Sequence, residues 1–346
     1  MTSILDLPKV LLHDHLDGGL RAGTVLSLAG EHGYGGLPHQ DEQALASWFD
    51  QTDSGSLVGY LAAFDETIAV MQTPSALERV AREAVEDLAA DGVVYAEIRF
   101  APSLHCRAGL SRAEVIDAVL AGLAAGEEAT GVAARLIVDA MRQDSDSEEV
   151  ARVAAEYVDR GVVGFDLAGP EAGFPAAAHA AALGVAGSSG LHVTVHAGEA
   201  AGPASMTDAL DSGAERIGHG VRIVDDVVVR DGEIVECGPT ARRVVDGGIP
   251  LEICPYSNLH TRAVLSPAAH PAGMLHRAGF TVTLNTDNRL MSNTTMTKEF
   301  SLATGLLGFS EDDLRAVTLN AVESAFCDEE TRTAVRHRVL AGYGAS

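Results

Sequence analysis

The sequence has few cysteines and no excess of basic residues. None of its four cysteines forms a C-x-x-C pair, which excludes a zinc knuckle and a thioredoxin-like redox motif. A chain of 346 residues can build its core without disulfides, so we expect reduced thiols. Lys and Arg number 24 against 49 Asp and Glu, and the formal net charge is −25. Because nucleic acids and anionic membranes require clustered basic residues, the sequence argues against both as partners.

Long apolar runs and several common motifs are also absent. No apolar run reaches the roughly 18 residues that a membrane helix needs. The opening "MTSILDLPKV" lacks the basic segment and the long apolar segment of a signal peptide, so we expect a cytoplasmic location. Neither G-x-G-x-x-G nor G-x-x-x-x-G-K-[ST] occurs, and nucleotide binding through either motif is therefore unsupported.

The residues that are present predict one large α/β domain. Hydrophobic residues make up 47% of the chain, which is enough for an extensive core. Short apolar runs bounded by turn residues predict eight strands, near Lys9, Val93, Leu136, Val163, Val193, Ile217, Leu251 and Val282. Stretches with helical spacing lie between most of them, and one begins with a capping box formed by Ser111 and Glu114. This alternation predicts a (β/α)8 TIM barrel over residues 1–346.

One connection is too long for a simple loop. Residues 20–73 separate the first strand from the first barrel helix. They contain "TVLSLAGEHG" and "SLVGYLAAFDETIAVM", and both segments have helical periodicity. We interpret this insertion as extra helices above the mouth of the barrel, which could serve as a lid.

The predicted strand ends carry most of the chemically informative residues. In a TIM barrel the active site lies at the carboxyl ends of the strands. The polar side chains at the ends of the first, fifth, sixth and eighth strands are His13, His15, His196, Glu199, His219, Asp287 and Asn288. In "LLHDHLDGG" the two-residue spacing of the histidines puts both imidazoles on one side of the strand.

This constellation predicts a catalytic metal site. A single H-x-H is weak evidence, but four strand ends that deliver histidines and acids to one mouth are stronger evidence. Three neutral imidazoles and one carboxylate suit Zn²⁺, and an open position for water makes such a site catalytic. Glu199 could shuttle a proton, and a non-ligating His219 could orient the water. The residues by themselves therefore predict metal-assisted hydrolysis and name no substrate.

Other charged residues in the predicted strands receive structural interpretations. Asp166 is interpreted as a structural charge that is paired across the barrel. Glu97 and Arg99 lie on the same side of the second strand and are interpreted as a buried pair. Asp14 points away from its neighbouring histidines and is interpreted as structural. For Arg289 two interpretations stay open, a pair with an acid at the barrel mouth or a contact with the substrate.

At these residues the sequence closely resembles the adenosine deaminase family of the amidohydrolase superfamily. The resemblance covers nearly the whole chain and rests on short motifs in the family's order, "KVLLHDHLDGGLR", "VVGFDLAGPEAGFP", "HAGE", "RIGHG", "CPYSN" and "NTDN". The H-x-E and P-C-x-x-C pattern of the cytidine-deaminase type of zinc site is absent. The resemblance implies zinc-dependent deamination of adenosine and 2′-deoxyadenosine to inosine and deoxyinosine, with loss of ammonia, in purine salvage.

The resemblance also implies roles for individual residues. The implied ligands of one Zn²⁺ are His13, His15, His196 and Asp287. Glu199 would donate a proton to purine N1, and His219 would hold the attacking water together with Asp287. These three residues are the implied catalytic groups.

The implied substrate-binding residues are His15, Asp17, Gly169 and Asn288. Asp17 would contact the ribose hydroxyls, and the backbone of Gly169 would bind purine N3. Asn288 departs from the family, which usually has Asp there as the contact of purine N7. A carboxyl group must be protonated to donate a hydrogen bond to N7, whereas an amide donates directly.

Two kinds of alternative to an adenosine deaminase stay open from the sequence, a sister deaminase and a non-catalytic barrel. Asn288 is compatible with a purine, but it leaves open a sister enzyme for adenine, a methylthioadenosine-like nucleoside or an aminofutalosine. Asp17 favours nucleosides, because the adenine deaminase branch typically has Glu at this position. A non-catalytic binding or signalling barrel is less favoured, because each expected ligand and acid is present.

Overall fold

The computed structural model describes residues 3–52 and 54–344. Its ten strands in these ranges are Lys9–His15 (β1), Val93–Phe100 (β2), Ala133–Met141 (β3), Val162–Ala168 (β4), His192–Ala197 (β5), Arg216–His219 (β6), Val227–Arg230 (β7), Glu233–Cys237 (β8), Leu251–Ile253 (β9) and Val282–Leu284 (β10). Eight of them form one parallel sheet in the order β1-β2-β3-β4-β5-β6-β9-β10. These are the eight strands that the sequence predicts.

The two edges of this sheet meet beside the first strand. Asp14 in β1 bridges in parallel to Asp287, which follows β10. The backbone N–H of His15 donates to the carbonyl of Asp287 at 2.7 Å, and the N–H of Asp287 donates to the carbonyl of His13 at 2.9 Å. The sheet is therefore a nearly closed barrel, and the predicted (β/α)8 fold is confirmed.

Helices surround the barrel and fill most of the connections between its strands. In the described ranges they are Ala22–His32 (α1), Glu42–Phe49 (α2), Leu57–Leu61 (α3), Phe64–Val70 (α4), Pro74–Ala90 (α5), Arg112–Thr130 (α6), Ser147–Ala155 (α7), Ala180–Ser188 (α8), Pro203–Asp211 (α9), Pro239–Asp246 (α10), Pro255–His260 (α11), Ala272–Arg277 (α12), Met296–Leu306 (α13), Glu311–Ser324 (α14) and Glu329–Gly342 (α15). The capping box predicted at Ser111 and Glu114 is present at the start of α6. No helix in the described part of the chain combines the length and apolar character needed to cross a membrane.

The insertion between β1 and α5 is helical, as predicted. It contains α1 to α4, although the segment "SLVGYLAAFDETIAVM" forms two short helices and α2 is an addition to the prediction. Tyr60, Leu61 and Phe64, from α3 and α4, line the cavity at the mouth of the barrel. That the insertion moves as a lid stays a prediction.

Strands β7 and β8 form an antiparallel hairpin outside the barrel that the sequence analysis missed. The local signal is the pair Asp231-Gly232 between two runs rich in valine and isoleucine. Both residues have positive φ, 53° for Asp231 and 79° for Gly232, as a tight hairpin turn requires.

The interior of the barrel is charged rather than apolar. Five charged side chains from four strands, each at most 1% exposed, fill it below the mouth: Glu97, Arg99, Asp166, Arg216 and Glu252. Buried charges are tolerated only when they are paired, so these groups bind one another and the polar side chains above them. The charged interior therefore determines how the residues at the mouth are held.

Candidate active site

The carboxyl end of the barrel brings together the histidines and the aspartate that the sequence identified. His13 and His15 lie in β1, His196 lies in β5, His219 ends β6 and Asp287 follows β10. All are buried except His15, whose side chain is 12% exposed. His219 and Asp287 have positive φ values of 62° and 60°, a strained conformation for residues other than glycine that clusters at functional sites.

Three ring nitrogens and one carboxylate oxygen face a common point. Nε2 of His15 lies 3.1 Å from Nε2 of His196. Oδ1 of Asp287 lies 3.3 Å from Nε2 of His13 and 3.4 Å from Nε2 of His15. Nε2 of His13 is buried and has no well-aligned hydrogen bond in the described residues. Electron-rich atoms at these distances repel one another unless a proton or a cation lies between them, so the donor set fits a metal ion.

Each of these three histidines is held from behind by a carboxyl group. Nδ1 lies 2.9 Å from Glu252 in His13, 3.3 Å from Asp139 in His15 and 2.8 Å from Asp166 in His196. An ionised carboxylate only accepts hydrogen bonds, so in the neutral form of each ring the hydrogen is favoured on Nδ1, which leaves the lone pair of Nε2 to face the common point. Carboxylates in this position are typical of histidines that bind metals.

The charged interior keeps two of these carboxyl groups ionised. Burial raises the pKa of Glu252, but Arg99 and Arg216 outweigh burial and hold this pKa well below its usual range. Burial also opposes the ionisation of Asp166, yet His196 and Arg99 hold its pKa below the usual range. The guanidinium of Arg99 lies 2.8 Å from Asp166 and 2.9 Å from Glu252. One buried cation thus supports the partners of two histidines.

The three rings differ in their affinity for protons. Burial lowers the pKa of His13 and lowers the pKa of His196 to about 3, so both rings are neutral at neutral pH. Burial also acts to lower the pKa of His15, but Asp139 and Asp287 outweigh it and raise this pKa to about 9. A cation at Nε2 of His15 therefore competes with a proton, which makes metal binding dependent on pH.

The pairing of charges in the interior differs from the prediction in one respect. The sequence predicted that Glu97 and Arg99 form a pair with each other, and this prediction is wrong. Glu97 binds Arg216 at 2.6 Å, while Arg99 reaches Asp166 and Glu252 on other strands. Side chains two residues apart on a strand point the same way, and each reaches more easily across the barrel than along its own strand. Asp166 is paired across the barrel, as predicted.

Asp14 and Arg289 form a buried pair at the seam where the barrel closes. Nε of Arg289 lies 3.1 Å from both carboxylate oxygens of Asp14, and Thr286 donates to the same carboxylate at 2.7 Å. Asp14 is therefore structural, as predicted. Of the two interpretations of Arg289, the pair with an acid at the barrel mouth is confirmed.

His219 lies close to the same point but is hydrogen-bonded differently. Ligand atoms of His13, His196, His219 and Asp287 lie within 4.8 Å of one another, so His219 is an alternative to His15 as a third imidazole. The amide nitrogen of Asn258 donates to Nδ1 of His219 at 3.0 Å, which places the ring hydrogen on Nε2. In this tautomer Nε2 of His219 is a hydrogen-bond donor.

Glu199 is a buried carboxyl group suited to carrying a proton. Its Oε1 accepts a hydrogen bond from the hydroxyl of Thr261 at 2.9 Å, and its Oε2 lies 3.6 Å from Nε2 of His219. Burial raises the pKa of Glu199 more than His219 lowers it, and the carboxylate of Asp287 adds to the increase. A carboxyl group with a raised pKa is a general acid closer to neutral pH.

A cavity of about 310 Å³ lies above these residues, within the range of small-molecule sites. Its lining includes the remaining predicted substrate residues, Asp17, Gly169 and Asn288, together with His15. Gly169 has a φ of 91°, a conformation that favours glycine, and a Cβ there would lie 2.7 Å from Oε1 of Gln143.

Two of the cavity residues have incomplete polar contacts. Asp17 is 4% exposed, and its carboxylate lies 3.6 Å from Nε2 of His105. Asn288 is 3% exposed, and its Oδ1 has no hydrogen-bond partner in the described residues. Buried polar groups normally find partners. The carboxylate of Asp17 is therefore available to a polar ligand, whereas the unpaired atom of Asn288 is an acceptor that faces Gly18, where an added Cβ would clash with it.

The architecture and the site match a known protein family. The family model described as adenosine deaminase matches residues 8–341. The chain belongs to the adenosine deaminase family. Adenosine deaminases from Mycobacteroides abscessus and Mycobacterium marinum are 52% and 51% identical to it, over 98% of this chain and 96% of each relative.

Solved structures with this fold include other deaminases of related purines. An adenine deaminase from Arthrobacter aurescens has a TM-score of 0.87 at 28% identity, and the match covers 98% of this chain and 100% of that chain. The N6-methyl-AMP deaminase from Arabidopsis thaliana has a TM-score of 0.80 at 29% identity, over 98% of this chain and 97% of the other. The fold of the adenosine deaminase family is therefore common to enzymes for a base, a nucleoside and a nucleotide.

The residues that hold the histidines in place from inside the barrel were not identified from the sequence. Glu252, Asp139 and Asn258 have no role in the sequence analysis, although each contacts one of the histidines. A signal was available for the two acids, because each is a charged residue within an apolar strand, "LEI" and "ARLIVDA". The register of the strands determines which histidine each acid contacts, and this register could not be predicted from the sequence.

Proposed function

We propose that the chain hydrolyses adenosine and 2′-deoxyadenosine to inosine and deoxyinosine, with release of ammonia. The observation that carries this proposal is the convergence of three histidine Nε2 atoms and one Asp287 oxygen at the floor of the cavity. About half of the positions are identical to adenosine deaminases over nearly the full length, which supports adenosine as the substrate.

One Zn²⁺ is the proposed cofactor, with His13, His15, His196 and Asp287 as its ligands. Three neutral imidazoles and a carboxylate are a donor set that Zn²⁺ prefers. When bound, the ion would supply Lewis-acid activation of water at neutral pH. Its proposed ligands are supported by the outer carboxyl groups, one of which lies within 3.3 Å of Nδ1 in each of the three rings.

The remaining chemistry is assigned to protein side chains. Glu199 delivers its proton to purine N1, which makes the ring carbon that bears the amino group more electrophilic. His219 presents an Nε2–H donor and, with Asp287, orients the attacking oxygen and stabilises the charge that develops on it. These roles are supported by the burial of all three side chains at the cavity.

The substrate is proposed to be held by Asp17, Gly169 and Asn288. The carboxylate of Asp17 accepts hydrogen bonds from ribose hydroxyls, the backbone N–H of Gly169 binds N3 and the amide of Asn288 donates to N7. A buried acid at position 17 favours a neutral ribose over a 5′-phosphate, because two negative charges in a cavity repel strongly. The cytoplasmic location and the absence of nucleic-acid partners stay predictions from the sequence.

A substrate panel tests the proposed function. Purified, metal-loaded protein is assayed with adenosine, 2′-deoxyadenosine, adenine and N6-methyl-AMP, and the loss of the substrate absorbance is followed. We expect kcat/KM for adenosine to exceed that for adenine by about 10²-fold or more, because adenine leaves the buried Asp17 without its ribose partner. A higher kcat/KM for adenine or for the nucleotide would refute the assignment.

The amide of Asn288 has a testable consequence for the pH dependence of kcat/KM. In Asn288→Asp the side chain donates to N7 only when it is protonated, and the protonated form is lost as the pH rises through its pKa. We expect kcat/KM at about pH 8 to fall by roughly 10–100-fold relative to the parent, the value of one hydrogen bond in a buried site. The measurement is the ratio of the two pH profiles of kcat/KM.

A second amide provides the control for this substitution. Asn320 donates to the carbonyl of Val282 from α14, outside the residues that line the cavity. Asn320→Asp should leave the shape of the pH profile unchanged. If Asn288→Asp also leaves it unchanged, the amide of Asn288 does not donate to the substrate.

A further inference from the structure

The buried carboxylate of Glu171 has no role in the site described so far. Glu171 lies in the loop after β4, three residues beyond Ala168, and is 4% exposed. It is not among the residues that line the cavity. A buried carboxylate is costly unless strong hydrogen bonds satisfy it, so its contacts indicate what it does.

The side-chain oxygens of Glu171 bind the turn that follows β5. Its two oxygens accept hydrogen bonds from four consecutive backbone N–H groups, at 2.7 Å from Gly198, 3.1 Å from Glu199, 2.7 Å from Ala200 and 2.8 Å from Ala201. Consecutive N–H groups that converge in this way form a concave anion site, here filled by a side chain of the same protein. Charge-assisted hydrogen bonds of this kind are among the strongest in proteins.

We propose that Glu171 is a positioning residue for the deamination, which holds the turn of residues 198–201 so that the carboxyl group of Glu199 reaches the substrate. The inference rests on the proposed function, because it assumes that Glu199 is the proton donor. Glu171 does not touch the substrate. It acts on the backbone of the residue that does.

A second buried charge anchors the start of the same segment. The guanidinium of Arg142, which is 2% exposed, donates to the carbonyl of His196 and, at 2.8 Å, to the carbonyl of Phe174. Arg142 thus binds the carbonyl group of His196, and Glu171 binds the N–H groups of the four residues 198–201. The two side chains come from the ends of β3 and β4, so neighbouring strands of the barrel fix the backbone that bears both His196 and Glu199.

The geometry of the turn requires this external support. Gly198 has a φ of 75°, and a Cβ there would lie 2.8 Å from Sδ of Met206, so the turn is packed tightly against α9. Among the described residues, the side chain of Glu199 has one hydrogen bond, from Thr261 at 2.9 Å. A shift of about 1 Å in a group that reacts with the substrate costs on the order of 10²-fold in rate. Small movements of the turn are therefore expected to affect the chemical step.

The substitution Glu171→Gln tests the inference, because it keeps the size of the side chain and removes the charge. One carboxylate oxygen becomes an NH₂ group, which faces N–H donors and accepts no hydrogen bond from them. We expect kcat for adenosine to fall by about 10²-fold while KM stays within about threefold, since cavity contacts are unchanged. Glu171→Asp keeps the negative charge on a shorter side chain. We expect its kcat to lie between the kcat of the parent and that of Glu171→Gln.

Asp226→Asn is the matched control. Asp226 also accepts a backbone hydrogen bond, from Ala241 at the start of α10, but lies outside the residues that line the cavity. Rates are expressed per folded, metal-loaded molecule, so that a loss of stability alone changes neither kcat nor KM. We expect the control to retain the kcat of the parent. A Glu171→Gln enzyme with a kcat within about threefold of the parent would overturn the inference.

A crystal structure of the Glu171→Gln variant tests the same inference without any assay. We expect the contact between Glu199 and Thr261, 2.9 Å in the parent, to be broken or lengthened. An unmoved Glu199 together with a reduced kcat would also overturn the positioning role. If Glu171→Gln does not fold, the same two measurements on Glu171→Asp decide the question. A parent enzyme that does not deaminate adenosine would refute the proposed function, while the structure still reports on the turn.

Discussion

Glu199→Gln is expected to lower kcat for adenosine by about 10²–10⁴-fold, because the amide has no acidic proton to deliver to N1. The side chain keeps its size and its hydrogen bond from Thr261, so KM should change little. Glu199 is not among the proposed metal ligands, and the variant should therefore contain as much zinc as the parent. The measurements are steady-state kinetics with adenosine and metal analysis of the same preparation.

Glu83→Gln is the matched control for this prediction. Glu83 is also a buried glutamate, but it binds Thr24 and Arg79 outside the cavity lining. Its substitution should lower the thermal stability and leave kcat per folded molecule unchanged. If Glu199→Gln turns over adenosine almost as fast as the parent, another group is the acid.

Asp287→Ala is expected to remove both the metal and the activity. Its carboxylate oxygen lies 3.3 Å from Nε2 of His13 and 3.4 Å from Nε2 of His15, and an oxygen of this group lies within 4.8 Å of a ring nitrogen of His196. Loss of an outer partner of a metal site weakens binding by roughly 10–100-fold, and loss of a direct ligand should cost more. The purified variant should therefore contain far less than one zinc ion per chain, as measured by elemental analysis after dialysis.

Asp211→Ala is a suitable control for Asp287→Ala, because Asp211 is an exposed helix-end residue that pairs with Arg243. This control should keep its zinc and its activity. Full zinc occupancy in Asp287→Ala would contradict the ligand role of Asp287. An Asp287→Ala enzyme that loses activity but keeps zinc would restrict the role of Asp287 to orienting the attacking oxygen.

The strands of the barrel could be predicted from the sequence because each is a short apolar run between turn residues. Val93–Phe100 is buried along its whole length, and this produces a continuous signal that does not depend on distant contacts. Helix α2 and the hairpin of β7 and β8 were missed for a different reason. Both lie outside the barrel, where half-exposed residues give weaker patterns, and only the Asp231-Gly232 turn marks the hairpin clearly.

The residues of the site could be predicted because the fold itself brings strand ends together. Once the sequence indicates a barrel, His13, His196 and Asp287 must lie at one rim. The contacts below the rim could not be derived in this way. That Glu252 supports His13, or that Arg99 pairs with Asp166 rather than Glu97, depends on the stagger of strands that are far apart in the chain.

We propose that a metal ion is bound by His13, His15, His196 and Asp287, with His219 as a hydrogen-bond donor beside it. Anomalous diffraction at the zinc absorption edge, from crystals of the active enzyme, tests this most directly. We expect one peak within about 2.0–2.2 Å of the three Nε2 atoms and an oxygen of Asp287. A peak bonded to His219 in place of His15, or no peak in crystals of fully active enzyme, would contradict it.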